Sequence, residues 1–180
     1  MNFIYKIKNA FPKKNCKNLI KWIEDNENLS SPGDYGGKPL DNLEIGVDLK
    51  NREEYFGLGY YLNECIVKTV KKFDFLSEYV GEWKLDTLMR LVKYKPNSYY
   101  SRIHCENDSV VKTHNRMLAW TIFLNDIKKG GGTEFINQKY TAKPVCGDFY
   151  IWPAYWTHLH RGINAPKENK YIITGWCTYI

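Results

Sequence analysis

A few residues in the second half of the chain have types and spacings that could do chemistry. His104 and Glu106 flank Cys105, and a second histidine pair, His158 and His160, follows far downstream. If His104, Glu106 and a downstream histidine converge, two imidazoles and a carboxylate cap one face of an octahedral ion. The opposite face stays open, a donor set suited to Fe(II) and similar borderline ions. Lys170 lies ten positions past His160 in an apolar run. A lysine buried in such a run needs an anionic partner. Its charge would suit the far carboxylate of a dicarboxylic co-substrate.

Strands must hold these groups. Successive side chains alternate across a strand, so residues i and i+2 share a face. A strand over Tyr99–His104 and onward would aim His104 and Glu106 at one ion and turn Cys105 away. Arg116–Leu124 is almost continuously apolar, the mark of a strand buried on both faces. Further strands are expected over Phe3–Ile7, Leu85–Tyr94, Thr133–Ile136, Phe149–Trp152 and Lys170–Trp176. Gly130-Gly131-Gly132 and Pro144–Asp148 read as turns. Two helices precede most of these strands. The first starts near Pro12 and presents Cys16, Leu19, Ile20 and Ile23 on one face. The second runs from Arg52 to about Phe75, with Leu62, Ile66, Val70 and Phe73 aligned. Between them, Ser30–Asp34 and Gly36–Pro39 punctuate an extended loop over residues 29–50, a surface connection or a segment over a substrate groove. The expected architecture is α+β, helices followed by a β-sandwich. It is read as one domain over 1–180, with 1–82 as helical support and substrate-facing loop and 83–180 as the core.

Composition narrows the function classes. The aromatic share is 16%, which favours a sheet-rich interior or a lined pocket over a helical bundle. The net charge of +6 comes from lysines spread along the chain, as on a solvated surface, so nucleic-acid binding is disfavoured. Five cysteines without CxxC spacing read as free thiols in a reducing compartment. With no apolar leader and no window approaching a membrane span, the expectation is a cytoplasmic protein with no membrane partner.

The ordered set resembles the Fe(II)- and 2-oxoglutarate-dependent dioxygenases, in particular their prolyl 4-hydroxylase-like branch. The resemblance runs through Tyr94, Tyr100, His104-Cys105-Glu106, Arg116, Phe123–Asp126 and Gly131–Phe135, then Pro144, Gly147-Asp148 and Trp152-Pro153, to His160-Arg161-Gly162, Lys170-Tyr171 and Trp176. It implies a double-stranded β-helix (jelly-roll) core with the N-terminal helices packed on one sheet. It also implies hydroxylation of a C–H bond, coupled to conversion of 2-oxoglutarate to succinate and CO2. The implied iron ligands are His104, Glu106 and His160. The branch places its basic residue ten positions past the distal histidine, which selects His160 over His158. Lys170 then pairs with the far carboxylate of 2-oxoglutarate, Tyr94 supports that pairing, and ascorbate is an optional accessory.

Three positions depart from the family pattern. Glu106 stands where aspartate is usual, with Asp108 as a more distant carboxylate. Tyr94 lies one residue further from His104 than usual. Ala119 occupies a common threonine position, for which Thr121 on the same strand face is the substitute. The implied substrate is a peptidyl proline in a protein or peptide. A free metabolite, a nucleic-acid base, or an inactive jelly-roll binding protein are the alternatives. The nucleic-acid branch usually carries a further downstream arginine, and none follows Arg161.

Overall fold

Period-two alternation builds a seven-stranded antiparallel sheet whose two faces have different tasks. The computed structural model describes residues 2–35, 38–50, 55–108 and 111–180. The strands, in chain order, are β1 (Tyr5–Ile7), β2 (Ser31–Tyr35), β3 (Lys38–Asp48), β4 (Trp83–Tyr94), β5 (Arg116–Phe123), β6 (Thr133–Phe135), β7 (Tyr140–Ala142), β8 (Phe149–Pro153), β9 (His160–Gly162) and β10 (Lys170–Tyr179). The large sheet is ordered β1-β8-β5-β10-β4-β3-β2, and the small one β7-β6-β9. Facing sheets of this kind form the jelly-roll core.

The outer face of the large sheet carries Met89, Leu91, Leu118, Trp120, Ile122, Phe149, Ile151 and Ile173. Two helices cover it, α1 (Lys13–Asp25) and α2 (Leu58–Lys72). A short third helix, α3, spans Phe75–Glu78. Helix α1 buries Cys16, Leu19 and Ile23 as its periodicity predicts. Helix α2 is rotated from expectation. It buries Leu58, Leu62, Cys65 and Thr69, and leaves Ile66 and Val70 only partly covered. Each large apolar side chain buried here contributes about 1.5–3 kcal/mol. Trp120 fits because Gly175 lies beneath it. A Cβ at Gly175 would sit 2.5 Å from the indole.

The inner face is more polar, and its rows follow from register. Asn42 pairs with Tyr94 and Tyr94 with Lys170. Arg90 pairs with Thr174, and Thr174 with Thr121. A second apolar cluster of Ala119, Phe123, Phe135, Ala142, Tyr150, Trp152 and Trp176 closes the space between the sheets.

Besides the rotation of α2, the structure departs from the sequence reading at residues 29–50 and 99–103. The expected 29–50 loop is the β2–β3 hairpin, which extends the large sheet beyond β4. Leu43, Ile45 and Val47 alternate as a strand should, but the glycines and prolines nearby conceal the pattern. Gly36-Gly37 of the expected loop and the start of the second helix at 52–54 lie outside the described residues. Residues 99–103 form no strand, and His104 makes only an isolated bridge. Among the described residues no helix is long and apolar enough to cross a membrane.

Candidate metal centre and co-substrate cleft

The bridge that replaces the expected strand is what joins the two histidines. His104 and His160 exchange both backbone hydrogen bonds, at 3.0 and 2.9 Å. His160 opens β9 and is held in the small sheet opposite Phe135. The two imidazole centroids lie 4.3 Å apart. Glu106 is fixed by its own amide, which donates to the Ala154 carbonyl at 3.0 Å.

Tautomers follow from the hydrogen bonds. Nδ1 of His104 lies 3.0 Å from the Arg102 carbonyl, and Nδ1 of His160 lies 2.9 Å from the His158 carbonyl. A carbonyl only accepts, so both Nδ1 atoms carry the proton, leaving Nε2 as the atom that could ligate a metal. Each Nε2 lies 3.5 Å from Oε1 of Glu106. The three ligand atoms lie within 4.8 Å of one another, the only such His/Cys/Asp/Glu group among the described residues. Adjacent ligands on an ion with bonds of about 2.1 Å are separated by roughly 3 Å. The set therefore fits a single Fe(II) with little adjustment.

Electrostatics agree with that fit. Burial alone would raise the Glu106 carboxyl, but hydrogen bonds and positive charge from His104 and His160 outweigh it and hold it well below the usual range. Burial would lower His104, and Glu106 raises it instead. In the protein alone, Glu106 favours the charged form of His104; a bound divalent ion would supply positive charge there instead. The outer oxygen, Oε2, accepts from Trp176 Nε1 at 2.8 Å and faces Arg116 Nη1 at 3.4 Å.

Lys170 reaches the same cavity, which encloses about 410 Å³ and is also lined by Tyr94, Tyr100, Thr121 and the three ligand residues. That volume lies in the range of small-molecule sites, about 300–1,000 Å³. Only 4% of Lys170 is exposed. Among the described residues no ion pair reaches it, and its Nζ lies 4.3 Å from the centre of the Tyr94 ring. Burial lowers its pKa to about 8. Tyr94 is buried too, and burial pushes its phenol up. The Thr121 hydroxyl donates to the Ile173 carbonyl at 3.0 Å, which commits its proton to the backbone.

Of the remaining residues, Asp108, Trp152 and Cys105 line the cavity without joining the ligand set, and the others fall elsewhere. His158 directs Nε2 at the Asn2 carbonyl, 2.9 Å away, so its contribution to the centre is its own carbonyl. Arg161 pairs with Glu134 at 2.7 Å on the exposed face of the small sheet. His114 is exposed, and Asp108 accepts from Thr113. Trp152 lines the cavity, whereas Trp156 is 72% exposed and no part of the core. Cys105 was expected to turn away but also lines the cavity, because the backbone there is not a strand. The sequence reading gave Trp176 and Arg116 no role of their own. The even spacing of Trp176 from Lys170 on β10 was the available signal.

Residues 89–178, from β4 into β10, match the 2OG-Fe(II) oxygenase superfamily, and the chain belongs to it. It is a 2-oxoglutarate-dependent dioxygenase whose family works with Fe(II) and 2-oxoglutarate. Solved structures show the prolyl 4-hydroxylase-like form of the fold. A viral collagen prolyl hydroxylase from Paramecium Bursaria Chlorella virus-1, in complex with 2OG, aligns with a TM-score of 0.73 at 18% identity, over 99% of this chain and 97% of that one. A Pseudomonas putida prolyl-4-hydroxylase aligns at 0.71 and 15%, over 99% and 93%. A Trichoplax adhaerens prolyl hydroxylase, in complex with a hypoxia inducible factor peptide fragment, aligns at 0.76 and 13%, over 99% and 84%. No curated protein matches the chain in sequence.

Proposed function

We propose that His104, Glu106 and His160 hold Fe(II), that Lys170 binds the far carboxylate of 2-oxoglutarate, and that the enzyme hydroxylates a peptidyl proline, releasing succinate and CO2. The observation that carries this reading is Lys170: a buried cation with no acidic partner among the described residues, in the same cavity as the ligand set. Bound iron would supply the activation of dioxygen. The protein fixes the imidazole tautomers, holds one carboxylate oxygen toward the ion, and supplies a fixed cation. Tyr94 lies beneath the Lys170 ammonium and restricts where a carboxylate can approach it. Thr121 lines the floor of the same space.

The peptidyl-proline assignment draws support from the fold. Two of the structures it resembles are named as prolyl hydroxylases of collagen type or with a bound peptide. Tyr100, Trp176 and the arginines Arg90 and Arg116 line the cavity, offering aromatic surface and donors for peptide carbonyls. The test is succinate release with Fe(II), 2-oxoglutarate and oxygen, stimulated by proline-rich peptides that gain one oxygen atom. His160→Ala should abolish it. Full turnover in that variant would reject the ligand set. Stimulation by a free metabolite or a nucleobase, but by no peptide, would reject the substrate.

A further inference from the structure

Glu106 is one methylene longer than the aspartate usual at its position in the family. A longer carboxylate can swing round and offer both oxygens to a metal, which would consume a position that a chelating keto acid needs. The structure shows a device against this. Oε1 lies 3.5 Å from both imidazole Nε2 atoms, while Oε2 is turned into a 2.8 Å hydrogen bond from the Trp176 indole. Arg116 adds a second donor, at 3.4 Å to Oε2 and 3.1 Å to the Glu106 carbonyl.

Trp176 is itself held. It stands opposite Ala119, whose small side chain leaves room for the ring, and only 7% of it is exposed. The Arg116 guanidinium lies 3.7 Å from the ring centroid and that of Arg90 5.5 Å, with Arg90 tied to Glu44 at 3.2 Å. Cations over an indole face are attracted to it, so the ring is restrained by more than packing. We infer that Trp176 is a positioning residue that, with Arg116, confines Glu106 to ligation through one oxygen and so keeps adjacent metal positions free for 2-oxoglutarate. The inference rests on the iron and 2-oxoglutarate reading above.

Trp176→Phe keeps an aromatic ring beside Arg116 and removes the N–H donor together with part of the indole ring system. The full-length protein would be loaded with Co(II), whose visible bands report coordination number, and separately titrated anaerobically with Fe(II) and 2-oxoglutarate. In the variant, Co(II) affinity should fall by no more than about tenfold, and the Co(II) bands should move toward higher coordination before any keto acid is added. The Kd for 2-oxoglutarate should rise by about tenfold or more, as for loss of a hydrogen bond to a charged group. Glu106→Asp should bind Co(II) and be nearly insensitive to Trp176→Phe, because the shorter side chain does not reach the indole. A purely structural Trp176 would lower the melting temperature and leave the Co(II) bands in place, which would overturn the inference. Should Trp176→Phe not fold, Arg116→Met reads the same bands, with a smaller movement expected and an unchanged spectrum counting against the device. Failure of the unaltered protein to bind Co(II), or to chelate 2-oxoglutarate, would reject the proposed function instead.

Discussion

Two lysines sit side by side in the large sheet and meet opposite fates. Lys93 on β4 pairs in register with Tyr171 on β10, and the next row pairs Tyr94 with Lys170. Neighbouring rows face opposite sides of a sheet, so Lys93 points at the helices and Lys170 into the cleft. Both are buried, at 7% and 4% exposure. Lys93 has partners within the fold: Glu24 at 2.9 Å, Glu27 at 3.4 Å, and Tyr171, whose hydroxyl donates to Glu24 at 2.6 Å. Lys170 has no such acid among the described residues. Burial would lower the Lys93 ammonium, but Glu24 and its neighbours outweigh that and raise it. At Lys170 burial acts unopposed. A buried charge completed inside the chain is structure; one left incomplete toward a cavity marks what the cavity binds.

The comparison breaks most sharply at Lys170→Met. A fall from 10.5 to about 8 is a cost of roughly 3 kcal/mol to the folded, ligand-free protein. Removing the charge should stabilise that form by about this much and raise its melting temperature by about 6–12 °C. The pH dependence follows. The folded pKa lies below the unfolded one, so the penalty is complete below about pH 8 and is relieved as pH rises toward 10.5. The two proteins should therefore converge in thermal stability across that window. A variant less stable than the parent at pH 7 would mean that Lys170 has a partner in the fold.

Lys93→Met should act in the opposite direction and more weakly. Glu24 is partly exposed, so the pair is screened, and its loss should cost about 1 kcal/mol, or about 2–4 °C. With its carboxyl held below the usual range by Tyr171 and Lys93 against the effect of burial, Glu24 stabilises the fold above pH 4.5 and loses that contribution as pH falls further. Calorimetry at pH 7 checks the sign and size of both substitutions. Equal signs would remove the distinction between them.

Much of the site was legible in the sequence because its chemistry is carried by residue type and interval. His104, Glu106 and Lys170 stood out by identity and spacing, the family resemblance selected His160 over His158, and the structure gathers all four around one cavity. The strands that hold them were legible where they are long and apolar, as in β5 and β10. The β2–β3 hairpin was not, because its turn residues speak louder locally than the alternation of Leu43, Ile45 and Val47. Short β7 and β9 carry too few residues to show a period, and they exist through pairing with β6. The rotated face of α2 reflects what the sheet offers to pack against. The hold of Trp176 on Glu106 joins residues 70 positions apart in sequence, a contact that no local pattern encodes.

The central claim is that Lys170 recognises the far carboxylate of the keto acid. Its most direct test is the anaerobic titration of the Fe(II) protein with 2-oxoglutarate and with a 2-oxo monocarboxylate lacking that group, read by the visible band of the chelate. The parent should prefer 2-oxoglutarate by at least about 30-fold, the lower end expected for a buried charge pair, and Lys170→Met should bind the two acids about equally. An unchanged preference in Lys170→Met would contradict the account.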